Sequence, residues 1–464
     1  MSDYKLVELM PVEKFFYYGS LFGDEFVNGI AITRCKSSEL DDATVKEAMF
    51  YLYKRHPLLR AHIEVDEKKP NCFYFAIPLK HEKTVDEMKF ERCILKSRVE
   101  LIKELERFSV QTLEYHEKCL LWRLEVITFS ENDCENAVFI ITIPMNCTDG
   151  INITCLCIEL VNILNSLLNK DTCVEMTEHL DLLDNSLNLI KMHNLADEEY
   201  WENYEKFRKN ANIVPFLLPN VFKSETESGY KMDLLALDVD STQNIVLFAK
   251  EHKIKVNSVL VSAVFYSLKI MYEEKGLKMP KDVSVYVMVS LRIRLEPNID
   301  FSHTRTCTSA ILLELEYPDF GKYENFFDDC KFVDRMVPKK IKERSMFDWI
   351  LNEDSKLIDE TYKTDPQKLN AILDNQRLCD VVISNNGTWV YDRKKVINGP
   401  IKIEELHYGD SLKSFPTMNI PFILHMHTFN ERLMIQLSSN RSKISSISSD
   451  RFLFIFKKVL ENFS

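Results

Sequence analysis

The sequence predicts an α/β (α+β) chain of two domains, and three observations carry that expectation. Its 464 residues, 45% of them hydrophobic, exceed the roughly 250–300 at which one core stops growing. Strand patterns of short apolar runs or period-two alternation interleave with amphipathic helical patterns from end to end. Between them lies an aperiodic stretch, Asn210 to Lys231, with Pro215, Pro219, Ser224, Glu225 and Gly229, the composition of a linker.

Taken in order, Leu6 to Phe16 precedes a strand pattern at Val27 to Arg34. Asp41 to Arg55 places Val45, Ala48, Met49 and Leu52 on one helical stripe, and Pro57 ends it. His56, in Arg55-His56-Pro57-Leu58-Leu59-Arg60, sits where a histidine caps carbonyls and complements the helix dipole. Ala61 to Val65 and Phe73 to Ile77 pair as a hairpin, and the charged stretch Glu82 to Glu106 reads as a solvated helix. Leu120 to Phe129 and Val138 to Ile143 form a second hairpin around Ser130 to Glu135, and a helix follows over Asn152 to Leu168. A charged helix, Asp197 to Lys209, leads to the linker.

The second half opens with strand patterns at Leu234 to Leu237 and Asp238 to Ser241, then a helix from Thr242 to His252. A stronger helix, capped by Asn257 or Ser258, reaches Glu274, with Gly276 just beyond it. Val283 to Leu291 and Cys307 to Leu315 are strands, Tyr323 to Lys356 is helical, and Cys379 to Ile383 is a short strand running into Ser384-Asn385-Asn386-Gly387. Phe422 to Thr428 and Leu433 to Leu437 form a final hairpin, and Phe452 to Phe463 is the last helix.

The stretch around which the chain is organised is Ala137 to Leu164. A strand is stopped by Pro144, a polar loop covers Asn146 to Asp149, and Gly150 leads into an apolar helix. Polar side chains in such a turn are held on a rigid scaffold, so this is the candidate site.

Composition narrows the chemistry. With 71 acidic against 59 basic residues, a formal charge of -12, phosphate backbones are on average repelled and no nucleic acid partner is expected. The longest apolar runs, such as Val259 to Tyr266, fall short of the ~18 residues that a membrane span needs. The N-terminus MSDYKLVELM has no basic segment before an apolar core, so the protein is expected to be cytoplasmic. Twelve cysteines without a CxxC pair read as reduced thiols. The ten glycines nowhere spell GxGxxG or GxxxxGK[ST], and no HExxH or zinc-spaced Cys/His cluster occurs, so no metal centre and no bound cofactor are expected.

The ordered set RHPLLR (Arg55 to Arg60), LWRLEVI (Leu121 to Ile127), TDGINI (Thr148 to Ile153), KVNSVLVSAVFYSLK (Lys255 to Lys269), VSLRIRL (Val289 to Leu295) and ISNNG (Ile383 to Gly387) resembles the CoA-dependent acyltransferase superfamily. That superfamily includes chloramphenicol acetyltransferase, condensation domains and alcohol acetyltransferases. The resemblance implies two sheet-and-helix lobes, residues 1–185 and 233–464 joined by a crossover at 186–232, with a channel between them. It implies an HHxxxDG motif in which the second His is general base and the Asp pairs with an arginine of the second lobe. Asp149 and Gly150 match the end of that motif and Arg292 matches the arginine. Cys147, Ser384, Asn385 and Gly387 become substrate-binding candidates. The implied co-substrate is an acyl-CoA or an acyl-carrier thioester, and the implied partners are a small-molecule acyl donor and acceptor or a hydrophobic ligand.

The departure is at the base. Counting back from Asp149, the two His positions hold Pro144 and Met145, and a thioether carries no titratable proton. Loss of a general base removes roughly 10²–10⁴-fold in rate. Cys147 has no basic neighbour in sequence, and Asp149 is a poor base if Arg292 holds it. His425 and His427 share one face of the C-terminal strand and are the candidates for a relocated base. Two readings follow: a binding or regulatory pseudoenzyme, with a protein partner in the regulatory case, or an active O- or N-acyltransferase that uses a relocated base or substrate positioning.

Overall fold

A computed structural model describes residues 4–9, 26–36, 40–66, 68–80, 83–109, 119–131, 134–183, 218–224, 226–280, 283–292, 300–314, 326–344, 379–388, 397–410 and 420–462, with single residues or pairs at 13, 14, 16, 17, 20, 111, 198, 202 and 294. Most of the expected helix at 197–209, residues 210–217 of the linker, and both ends of the expected helix at 323–356 lie outside the described residues.

The first half runs β1 (Tyr4–Glu8), β2 (Phe26–Arg34), α1 (Asp42–Arg55), β3 (His62–Asp66), β4 (Lys69–Pro78), β5 (Glu91–Ile94), α2 (Arg98–Ser109), β6 (Arg123–Glu131), β7 (Cys134–Pro144) and α3 (Gly150–Asn169). The second half runs β8 (Tyr230–Ala236), α4 (Val239–Glu251), α5 (Val256–Glu274), β9 (Ser284–Ser290), β10 (Thr308–Glu314), α6 (Phe326–Lys342), β11 (Val381–Thr388), β12 (Lys402–Asp410), β13 (Phe422–Phe429), β14 (Arg432–Asn440) and α7 (Ser446–Glu461).

Two lobes result, each a sheet carrying helices. The first holds a five-stranded sheet in the order β12-β2-β7-β6-β5, beside a small sheet β1-β4-β3. The second holds a six-stranded sheet in the order β10-β9-β11-β13-β14-β8. Helix α3, buried from Asn152 to Ser166, packs over β2, β7 and β12. It is the one single helix among the described residues long and apolar enough to cross a membrane, and it is 83% buried as a core element. In the second lobe α5 lies between α6, α7 and the sheet.

Strand β12 comes from the second half of the chain, within the span 233–464, yet it pairs antiparallel with β2 and closes the edge of the first sheet, with His407 opposite Ile30 and Tyr408 opposite Gly29. The sequence reading contains no strand there. A register shift between Ile403 and Glu405 explains why, because a bulge breaks the alternation that starts at Ile401 and Ile403.

Other expectations are corrected by local chemistry. The charged stretch after residue 82 is not one helix: Thr84 and Glu87 form a reciprocal capping box on a short 3₁₀ turn, β5 pairs parallel with β6, and only Arg98–Ser109 is helical. Asp238 to Ser241 is a helix start, not a strand, since the Asp238 carboxylate accepts from the Ser241 N–H at 2.7 Å. Neither Asn257 nor Ser258 caps α5. Asp334 of α6 does so from outside, accepting from Lys255 N–H at 2.9 Å and Ser258 Oγ at 3.0 Å.

Candidate functional site

The turn after β7 is fastened from below and above. Cys147 N–H donates to the Pro144 carbonyl at 2.9 Å, closing the loop on itself. Asp149, in extended backbone, caps α3 by accepting from Asn152 N–H at 2.9 Å. Its other carboxylate oxygen accepts from Arg292 Nε at 2.9 Å and from Cys307 N–H at 3.0 Å. Arg292 is completely buried and donates onward to the carbonyls of Asp300, at 3.0 Å, and Arg305, at 2.8 Å. Each nitrogen of this guanidinium therefore meets an acceptor, the condition under which a buried ion pair is tolerated.

Residues 300–307, between β9 and β10, form a strap over the turn. Thr306 Oγ1 bonds the Met145 carbonyl and lies 3.2 Å from that of Thr148, and Asn152 Nδ2 donates to the carbonyls of Phe301 and Ser302 at 3.1 and 3.0 Å. Arg305 pairs with Glu13 at 2.8 Å in the same buried layer. Beneath the turn Glu159 of α3 receives Arg55 at 3.3 Å and His56 at 2.7 Å. Burial alone would raise the Glu159 carboxyl, yet His56 and Arg55 hold it below its ordinary value. His56 does end α1 with its backbone N–H, but its ring serves Glu159 instead of helix carbonyls. Glu159 had a signal in the sequence, a lone acid inside an apolar helix, and RHPLLR supplies its partners.

Above Gly150 lies the ring of Tyr408. A Cβ at position 150 would overlap that ring, so only glycine fits. The Tyr408 hydroxyl is 2.9 Å from the Ser384 carbonyl, 3.1 Å from Ser384 Oγ and 3.3 Å from the Met426 carbonyl. Its ring meets His425 edge-on at 5.0 Å and His427 at 5.5 Å between centroids. Tyr408, which the sequence reading missed along with its strand, thus joins the turn to the SNNG stretch and to both histidines.

The candidates separate by what occupies them. Met145 is 9% exposed and offers no base. Cys147 is buried, which pushes its thiol well above the ordinary range. Ser384 is engaged by Tyr408; Asn385 accepts from Gly387 N–H at 2.8 Å and donates to Asn257 Oδ1 at 3.1 Å. Gly387 has φ of 76°, in the left-handed region that favours glycine. Ser384 thereby touches the first sheet through Tyr408, while Asn385 bonds to Gly387 and to Asn257 of α5. His427 is pushed down to about 3 by burial and by neighbouring His407, so it stays neutral. His425 differs: its Nε2 lies 3.2 Å from Asp410 Oδ2, while its buried Nδ1 has no partner among the described residues.

The sequence profile of the condensation domain matches residues 30–277, more than half of the chain. No curated protein matches it. Among solved structures, the epimerization domain from the third module of tyrocidine synthetase B aligns with a TM-score of 0.65 at 14% identity, covering 99% of this chain and 96% of that one. Polyketide synthase associated protein 5 from Mycobacterium tuberculosis aligns at 0.65 and 13%, covering 98% and 96%. Trichothecene 15-O-acetyltransferase from Fusarium sporotrichioides aligns at 0.67 and 11%, covering 99% and 95%. The chain belongs to the condensation domain family, within the CoA-dependent acyltransferase superfamily.

Proposed function

We propose that this chain is a binding or regulatory protein on a condensation-domain scaffold, one that holds a thioester or an apolar ligand without the family's proton transfer. Met145 at the place of the base carries this reading. The rest of the turn supports it: the carboxylate of Asp149 is filled by three donors, and the Cys147 thiol is disfavoured as an anion by burial. The thioether also makes the centre of the site softer and more apolar than an imidazole would.

The test is thiol release from short and long acyl-CoAs and from acyl-pantetheine, with a panel of alcohols and amines. Wild type is expected at background, and the Pro144→His, Met145→His double variant is expected to rise above it by about 10²-fold or more, the scale of one general base. A second reading has one observation in its favour, the His425–Asp410 pair with its unpartnered Nδ1, which has the geometry of an oriented base. Wild-type turnover that His425→Ala abolishes would establish that reading and end the first.

A further inference from the structure

A second cluster of chemistry-bearing side chains lies at the far edge of the first sheet. Parallel pairing sets Glu91 of β5 opposite Glu125 of β6, and Cys93 follows two residues later on the same face. Helix α2 covers that face and brings down Glu104. The Cys93 sulfur and one oxygen from each of Glu104 and Glu125 lie within 4.8 Å of one another. Two carboxylates opposed across a strand pair repel, and this pair is partly inside the protein: Glu125 is 0% exposed, and its Oε2 has no hydrogen-bond partner among the described residues.

One guanidinium serves all three carboxylates. Arg107 contacts Glu104 closely and reaches Glu125 at 3.1 Å and Glu91 at 3.4 Å, and its side chain is 45% exposed. A single half-exposed guanidinium cannot neutralise Glu91, Glu104 and Glu125 together once all three are ionised. It can also swing into solvent, vacating the centre.

We propose that Cys93, Glu104 and Glu125 bind a zinc-class divalent cation, with Arg107 as the charge it displaces. One thiolate and two carboxylates is a donor set that suits Zn²⁺, and Glu91 or water completes four ligands. The site is separate from the Asp149 turn and independent of whether that turn is catalytic. It bears on the lobes through α2, because Glu106 on the same helix accepts from Met232 N–H at 2.9 Å and pairs with Arg441 at 3.3 Å in the second lobe. A cation that fixes α2 to β5 and β6 therefore stiffens a contact between the lobes.

The experiment uses the full chain stripped with EDTA. Zn²⁺ titrated calorimetrically is expected to bind at one equivalent, and Cd²⁺ is expected to give an ultraviolet thiolate-to-metal charge-transfer band. Cys93→Ser is expected to abolish the band and weaken Zn²⁺ by about tenfold or more, since even the groups that orient metal ligands cost about that much when removed. Glu125→Gln is expected to weaken Zn²⁺ to a similar degree, while Cys72→Ser, at another partly buried thiol, changes neither readout. No binding, a band that survives Cys93→Ser, or equal affinity in Glu125→Gln and wild type would overturn the site. Should Cys93→Ser fail to fold, the Glu125→Gln and Glu104→Gln affinities decide it.

Discussion

Arg292, at the turn after β7, and Arg107, at the far edge of the first sheet, both hold carboxylates, and they are built in opposite ways. Arg292 is completely buried, faces one carboxylate and spends its remaining donors on two backbone carbonyls. Arg107 is half in solvent, faces three carboxylates, and leaves an oxygen of buried Glu125 unpartnered. The first is closed around its guanidinium, with each nitrogen bonded; the second is open, with one guanidinium shared among three carboxylates. A recognisable family motif therefore marks a satisfied ion pair here, and the carboxylates that share one counter-charge lie elsewhere.

Breaking the closed network should be the most costly change. Arg292→Met removes a guanidinium but leaves Asp149 buried at the cap of α3, and stranding one partner of a buried pair costs about 3–5 kcal/mol. Urea unfolding is expected to show a loss of that size. A loss below about 1 kcal/mol, the value of an exposed pair, would mean that Asp149 finds other donors and that the strap at 300–307 is not held through Arg292.

A smaller effect probes how tightly the turn is sealed from the other side. Gly150→Ala drives a methyl into the Tyr408 ring, and overpacking of this kind costs about 1–3 kcal/mol. The same substitution in a Tyr408→Ala background is expected to cost nearly nothing, so a double-mutant cycle on unfolding free energies isolates the contact. Equal costs in both backgrounds would assign the penalty to the backbone at the start of α3 instead.

Much of the closed network was legible before any coordinates. The strand-turn-helix at Ala137 to Leu164 follows from apolar periodicity, Pro144 and Gly150, and the Asp149–Arg292 pair followed from the resemblance that TDGINI and VSLRIRL carry. What the sequence hid is non-local. Tyr408 reaches Gly150 only because a bulged strand from residue 402 onward crosses into the first sheet, and the bulge erases its alternation. Thr306 and Arg305 act through a loop that has no periodicity to read. Cys93 and Glu104 were hidden in a stretch whose charge suggested a solvated helix; Glu125 lies in a strand that the sequence does show, and it is the parallel pairing of β5 with β6 that brings it to the same cluster.

The open network should give the smallest response. Arg107→Gln removes the one cation among Glu91, Glu104 and Glu125, which by analogy with Arg292 would be severe. The difference lies in what is left behind. Burial, with Glu104 beside it, pushes the Glu125 carboxyl up to about 8, so at neutral pH it keeps a proton and no buried anion is stranded. Glu91 and Arg107 itself are open to water, where such pairs contribute about 0–1 kcal/mol. Thermal unfolding at pH 7 in EDTA is therefore expected to move by no more than that. A raised folded-state carboxyl contributes stability below its ordinary range and loses it as pH rises through about 8, so the deficit of Arg107→Gln should widen toward pH 9, where Glu125 ionises without its counter-charge. A loss of about 3 kcal/mol already at pH 7 would show Arg107 to be a buried-type keystone like Arg292, and the contrast between the two sites would fail.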